Sequence, residues 1–141
     1  MKADNTLSLI SRIHQGMNEV IMEEVKKSGI EGIVPSHGSI MVALFNGKVL
    51  TMNDLAERIG KTPQTVTTLV KKLLEMGYVQ CEKAAKDRRT TLVSLTAKGE
   101  SLKDIFAQAS AKLYERQYQG MSEEEIREFR RLLLLVWENF N

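Results

Sequence analysis

Hydrogen-bonding and basic side chains are concentrated between residues 62 and 72. Thr62 and Pro63 are residue types favoured at the cap and first position of a helix, and apolar residues follow at helical spacing. The opposite face carries short polar side chains and then cations, namely Thr62, Gln64, Thr65, Thr67, Thr68, Lys71 and Lys72. Gln and Thr can contact base edges in the major groove of DNA, and Lys neutralises phosphates. The pattern predicts a DNA-recognition helix, although an ordinary solvent-exposed helix face would show the same residue types.

A second basic cluster lies in a predicted turn. Residues 78–83 and 90–95 alternate as strands do, so residues 84–89 would form a hairpin tip containing Lys86, Arg88 and Arg89. Such a hairpin can place Arg in a narrow, electronegative minor groove. Asp87 suits this surface only with a partner, and an ion pair with Arg89 would hold that side chain in place. A solvated charged turn also explains the charge, but not its position directly after the helix.

The elements that position these residues form a helix-turn-helix. A short helix begins at Pro35, and residues 48–50 are extended. Thr51 caps a helix that ends at Gly60, and the recognition helix ends at Gly77. Two short helices joined by a tight turn that contains Gly are typical of DNA-binding domains.

Helices are predicted on both sides of this region. Apolar residues recur at helical spacing from Leu7 to Val25, and Thr96 can cap a helix that runs to near Gly120. Ser122 and Glu125 form a capping box for a final helix.

The final helix is apolar on several faces, so it needs more than one partner surface. Burial inside a monomer is possible, but packing the first and last helices against a second copy is the easier solution. We therefore predict a homodimer. Its interface would contain Leu7, Ile10, Phe129, Leu133, Trp137 and Phe140.

The composition fits one folded domain. The chain has 141 residues and is 43% hydrophobic, which predicts a mainly α fold with a small β-hairpin wing. Residues 1–141 would form one domain, with a winged-helix DNA-binding region at 35–99 and a helical dimerisation region at 1–34 and 100–141. The overall net charge of +2 combines +5 in the middle region with −1 and −2 in the flanks. Any three-way division shows some asymmetry, so charge alone does not decide the partner.

Several function classes receive no support from the sequence. One cysteine, Cys81, excludes a disulfide framework, and the polar start and short apolar runs predict no signal peptide or membrane span. We expect a cytoplasmic protein that does not act at a membrane. No phosphate-binding loop, nucleophile elbow, metal motif or paired carboxylates suggest an enzyme, a cofactor or a metal site.

A few isolated residues have two interpretations. Cys81 can be a redox-sensitive thiol or a small packing side chain. His14, Met17, His37 and Met41 could line a pocket for a small effector, or could be structural.

The combined pattern resembles the MarR family of winged-helix transcription regulators. The similarity rests on Leu55-Ala56, Thr65-Val66-Thr67, Gly77, Asp87-Arg88-Arg89 and Leu95-Thr96-Ala97-Lys98-Gly99. It implies a homodimer on double-stranded DNA with a palindromic operator, with Arg89 in the minor groove and Asp87 supporting it. It also implies release by a small aromatic or phenolic effector. Thr68 stands where the family often has Arg, and Cys81 where the first wing strand often has Arg.

Two functions follow as hypotheses. The first is a sequence-specific transcription regulator, acting as a repressor that a small molecule releases from DNA. The second is a winged helix that binds an acidic protein partner through its basic face, without sequence-specific DNA binding.

Overall fold

Seven helices and three short strands follow one another in the described part of the chain, residues 3–141 of this computed structural model. The elements are α1 (Thr6–Lys27), α2 (Pro35–Leu44), β1 (Leu50–Thr51), α3 (Met52–Ile59), α4 (Pro63–Glu75), β2 (Val79–Lys83), β3 (Thr91–Leu95), α5 (Ala97–Glu100), α6 (Lys103–Gln117) and α7 (Glu123–Glu138). The predicted class, mainly helical with a small wing, is confirmed. No helix within residues 3–141 is long and apolar enough to cross a membrane.

The strands form one antiparallel sheet in the order β1-β3-β2. Strand β1 pairs with β3 through Leu50 and Val93, and so joins the extended stretch before α3 to the hairpin. Strands β2 and β3 pair from Val79 opposite Leu95 to Lys83 opposite Thr91, as predicted for a hairpin. The wing is thus anchored at its base on both sides of β3.

The core lies between α2, α3, α4 and the sheet. Its fully buried side chains include Ile40, Met41, Leu44, Leu55, Val66, Val70, Leu73 and Val93. Val25 from α1 and Phe106 from α6 also join this core, and the Phe106 ring lies 5.7 Å from that of Phe45. The helix-turn-helix is therefore fixed to the helices on either side of it.

The predicted helix caps are present. Thr51 accepts a hydrogen bond from the Asp54 backbone N–H at 3.0 Å, and the Asp54 carboxylate accepts one from the Thr51 N–H at 3.1 Å. Ser122 and Glu125 make the same reciprocal pair at the start of α7. These bonds satisfy backbone donors that a helix start leaves without partners.

The helix predicted from Thr96 to near Gly120 is interrupted, so that prediction was wrong in its continuity. Thr96 does cap a helix, but α5 ends at Glu100 and α6 begins at Lys103. The Ser101 hydroxyl donates to the Lys98 carbonyl at 2.6 Å, and the Leu102 N–H bonds the Gly99 carbonyl at 3.1 Å. Side-chain competition for backbone carbonyls and the tighter three-residue bond break the α-helical pattern there.

The terminal helices leave much apolar surface uncovered in the single chain. Helix α1 packs on α6, where Lys112 Nζ lies 2.8 Å from the Glu24 carboxylate. Helix α7, by contrast, contains no buried residue. Leu133 is 47% exposed and Trp137 is 59% exposed. Such a continuous apolar surface is typical of a protein interface.

Candidate nucleic-acid interface

Helix α4 presents one polar face because its opposite face is anchored in the core. Val66, Val70 and Leu73 are fully buried, at positions that recur every three or four residues. The opposite side is exposed and carries Gln64, Thr67, Thr68 and Lys71. Four of the residues predicted to contact bases and phosphates therefore share one accessible surface, on which Gln64, Thr68 and Lys71 lie one turn apart.

Two threonines cap the first turn of α4. Thr62 Oγ1 accepts a hydrogen bond from the Thr65 N–H at 3.2 Å and lies 2.8 Å from Thr65 Oγ1. Thr62 is therefore an N-cap as well as a predicted DNA contact. The Pro63 ring at the first helical position removes one donor that would lack a partner.

The two adjacent lysines of α4 lie in different places. Lys71 lies on the same face as Gln64 and Thr68. Lys72 reaches the connection between α1 and α2, because a Cβ added at Gly32 would lie 3.9 Å from Lys72 Nζ. The Lys72 side chain thus lies beside the segment that joins α1 to α2.

The hairpin tip holds Arg89 beside Asp87. The Asp87 Oδ1 atom accepts hydrogen bonds from the Arg89 backbone N–H at 3.0 Å and from Arg89 Nε at 3.3 Å. These bonds lower the pKa of Asp87 below its ordinary value, the backbone N–H contributing most, so the carboxylate stays charged. The predicted ion pair is present, and the Arg89 side chain is still 94% exposed.

Residues 95–99 join the wing to the end of α4. The Thr96 hydroxyl donates to the Gly77 carbonyl at 2.6 Å, and Lys98 Nζ donates to the Met76 carbonyl at 2.8 Å. The Lys98 ammonium group also lies 4.9 Å from the centre of the Tyr78 ring. A cation at the last carbonyls of a helix is favourable for the helix dipole. The sequence identified this segment by resemblance alone and missed the role of Lys98.

Gly99 lies directly against the backbone of this junction. A Cβ at Gly99 would come 2.1 Å from the Tyr78 carbonyl oxygen and 3.1 Å from Leu95 Cδ2. Only a residue without a side chain permits this approach. The tight turn after β3 therefore depends on Gly99.

The four residues considered for an effector pocket are not brought to one cavity. Met41 is fully buried in the core, and His37 is only 6% exposed. His14 lies along a shallow groove beside Pro35, whereas Met17 lines a separate groove between α1, α6 and α7. His37 and Met41 lie on the core-facing side of α2, so these four residues do not form one pocket.

Cys81 is half-buried in β2 and packs against the core. Burial raises the pKa of its thiol, the charge of Lys83 opposing this only in part, which favours the unreactive protonated form. Residues 3–141 contain no group of three or more His, Cys, Asp or Glu side chains arranged to hold a metal ion.

His37 has a structural role at the start of α2. Its Nδ1 atom accepts a hydrogen bond from the Val34 N–H at 2.8 Å, so this nitrogen carries no proton. Burial, and then the charge of Lys72, lowers the pKa of His37 below its ordinary value of 6.5. The folded chain therefore binds a proton at His37 less readily than the unfolded chain.

We expect the free energy of unfolding to fall as the pH decreases from 7.5 to 5.5. Because the pKa of His37 is lower in the folded chain, its contribution is complete above 6.5 and is lost as the pH falls through the folded-state pKa. Urea unfolding of wild type and His37→Gln at both pH values measures this, since a Gln carbonyl can still accept the Val34 N–H. The pH dependence should shrink in His37→Gln and persist in His14→Gln. Equal slopes in all three proteins would contradict the assignment.

A family model described as the MarR family matches residues 40–90, which run from α2 through α4 to the tip of the hairpin. This segment of the chain is similar to the MarR family. The HTH-type transcriptional regulator SarZ of Staphylococcus aureus is 33% identical over 75 residues, which are 53% of this chain and 51% of that protein. The chain thus spans about half the length of the curated relatives it matches.

Solved structures of MarR-type proteins have the same architecture over nearly the whole chain. The S. aureus MepR–DNA complex superposes with a TM-score of 0.87 and 21% identity, covering 97% of this chain and 99% of MepR. A MarR transcriptional regulator from Methanosarcina mazei Go1 gives a TM-score of 0.81 at 22% identity, with 94% and 93% coverage. The transcriptional regulator SlyA gives 0.82 at 20%, with 97% and 94% coverage. At such low identity the likeness establishes the winged-helix fold.

Proposed function

We propose that this chain is a DNA-binding transcriptional repressor that recognises a palindromic operator as a homodimer. The observation that carries the proposal is the common placement of two DNA-contact elements, the exposed polar face of α4 and the adjacent hairpin with Arg89. Residues 95–99 join these elements at the end of α4. The MepR structure, solved as a DNA complex, supports the proposal because its fold matches nearly the whole chain.

The charge distribution supports DNA as the partner. Residues 35–99 carry a net charge of +5, whereas residues 1–34 and 100–141 carry −1 and −2. We assign the first region to DNA and the other two to dimerisation. The acidic flanks limit non-specific attraction to nucleic acid, so that affinity depends on the contacts of α4 and the wing.

The exposed apolar surface of the terminal helices supports the dimer. Leu7 and Ile10 on α1 are 84% and 45% exposed, and Phe140 after α7 is 83% exposed. A twofold dimer covers such surfaces with copies of themselves, and it places two recognition helices on one side of the molecule. Two identical helices related by a twofold axis recognise a palindromic sequence.

We also propose that a small aromatic or phenolic effector releases the protein from DNA. A groove of 580 Å³ between α1, α2, α3 and α6 supports this, because Ile21, Val42 and Phe106 supply apolar surface beside the Arg58 side chain. A guanidinium group can pair with a carboxylate or phenolate. A ligand there would contact both the dimerisation helices and the helix-turn-helix.

Fluorescence anisotropy with the region upstream of the protein's own gene tests DNA recognition. A duplex of the same composition but scrambled order is the control. We expect specific binding that weakens steeply with salt, each phosphate contact adding about 0.9 to the slope of log K against log salt. Weak binding of equal strength to both duplexes at physiological salt would instead favour a protein-interaction module.

Arg89→Ala should weaken operator binding by roughly 1–3 kcal/mol, because it removes the side chain that we place in the minor groove. Arg88→Ala is the matched control, since it removes the same charge from the neighbouring position in the same turn. We expect Arg88→Ala to cost less and to cost the same on operator and scrambled DNA. Full affinity of Arg89→Ala would remove Arg89 from the interface.

A further inference from the structure

Two threonines on the exposed surface of α4 hold their hydroxyl groups against the helix backbone. Thr67 Oγ1 donates to the Pro63 carbonyl at 2.9 Å, and Thr68 Oγ1 donates to the Gln64 carbonyl at 3.2 Å. A hydroxyl group has one proton, so an oxygen that donates to the backbone can only accept from a partner. Each side chain therefore offers DNA a methyl group and a hydrogen-bond acceptor, and no donor.

The exposed face of α4 is poorly matched to guanine at the positions of Thr67 and Thr68. Guanine presents two acceptors, N7 and O6, in the major groove, and its most frequent specific partners are Arg and Lys. Helix α4 contains no Arg, and its lysines, Lys71 and Lys72, follow the two threonines by about one turn. The hydroxyl protons of Thr67 and Thr68 are already donated, so these positions offer guanine no donor. Gln64, one turn before Thr68, has the amide that pairs with adenine N6 and N7.

An A·T pair has the features that complement a side chain with a methyl group and a hydrogen-bond acceptor. In the major groove the thymine methyl group and the adenine N6 amino group lie on one base pair, whereas cytosine offers an amino group without a methyl group. A side chain with a methyl group and an acceptor can contact both features of A·T. Lys71 continues the same face one turn later, where its charge suits a phosphate.

We propose that Thr67 and Thr68 make α4 a reader of thymine methyl groups, so that each operator half-site has A·T pairs at the positions facing them. This inference rests on the proposed function. It adds to that function the identity of the bases that the recognition helix selects.

The test begins with the full-length protein and a random duplex library, from which bound sequences are selected. Each thymine of the selected site is then replaced in turn by deoxyuridine, which removes the methyl group and leaves every hydrogen-bonding group in place. We expect a loss of about fourfold in affinity at each thymine that contacts a threonine, as for one buried methyl group. Thymines outside the α4 contact should show no change.

Two conservative variants identify the contacting side chain. Thr68→Ser keeps the hydroxyl and loses the methyl group, so deoxyuridine should no longer weaken binding at the base facing Thr68. Thr68→Val keeps methyl groups and loses the hydroxyl, so it should retain that sensitivity. Thr67→Ser tests in the same way whether Thr67 contacts a thymine methyl group.

The outcomes separate this inference from the proposed function. A selected site with guanine at the position coupled to Thr68 would overturn it. So would a site at which no deoxyuridine weakens binding by the wild-type protein. Failure to select any sequence would instead overturn the proposed function, and the inference with it.

Discussion

Leu133→Glu should convert the proposed dimer to monomers and weaken operator binding about 100-fold or more. Leu133 lies on a stripe of α7 that also contains Phe129, Trp137 and Phe140, and no residue of this helix is buried within its own chain. A carboxylate in the centre of the proposed interface would be desolvated without a partner, which is strongly unfavourable. A monomer contacts one half-site only, and loses the gain of about 10² to 10⁴ that linked binding provides.

Leu135→Glu is the matched control for this experiment. It introduces the same charge two residues later, at a leucine of similar exposure on the other side of α7. Sedimentation velocity at micromolar concentration should show monomers for Leu133→Glu and dimers for Leu135→Glu. Circular dichroism should show folded protein in both cases, since neither side chain is part of the core. A dimeric Leu133→Glu protein would refute this interface.

Gly99→Ala should destabilise the protein by about 3 kcal/mol. The added Cβ would meet the Tyr78 carbonyl oxygen at 2.1 Å, and neither backbone segment can withdraw without disturbing the bonds made by Thr96 and Lys98. Overpacking of this kind costs about 1–3 kcal/mol and occasionally more, and the contact here is with backbone rather than with a flexible side chain. Denaturant unfolding at one protein concentration measures the change.

Gly16→Ala provides the comparison for Gly99→Ala. Gly16 lies inside α1, and apart from the neighbouring residues and backbone of that helix no atom lies within 4 Å of a Cβ built there. The same substitution should therefore raise stability, by up to about 1 kcal/mol, because Ala is the better helix former. A Gly99→Ala protein as stable as wild type would mean that the end of α4 adjusts without cost.

The sequence predicted the helix-turn-helix well because local signals determine it. Thr51 and Thr62 are caps, Pro63 begins α4, and Gly77 has a left-handed φ of 81° after its end. Each signal acts within a few residues, so spacing alone reveals it. The pairing of Asp87 with Arg89 was predictable for the same reason.

The errors have two origins. The break between α5 and α6 is local, because the Ser101 hydroxyl and the Leu102 N–H bond carbonyls three residues earlier, and helical spacing alone does not reveal this. The other errors concern contacts between distant segments. The separation of Met17 from Met41 depends on how α1 and α2 pack, and the sequence shows only that both residues are apolar. The position of Lys72 beside Gly32 likewise follows from tertiary packing.

The contacts of Thr96 and Lys98 with the end of α4 have a consequence for operator architecture. They hold the wing against the end of α4. In the proposed DNA complex, the number of base pairs between the major-groove and minor-groove contacts of one half-site should therefore not vary. Operators of this protein should therefore keep one spacing within each half-site, even where their base sequences differ.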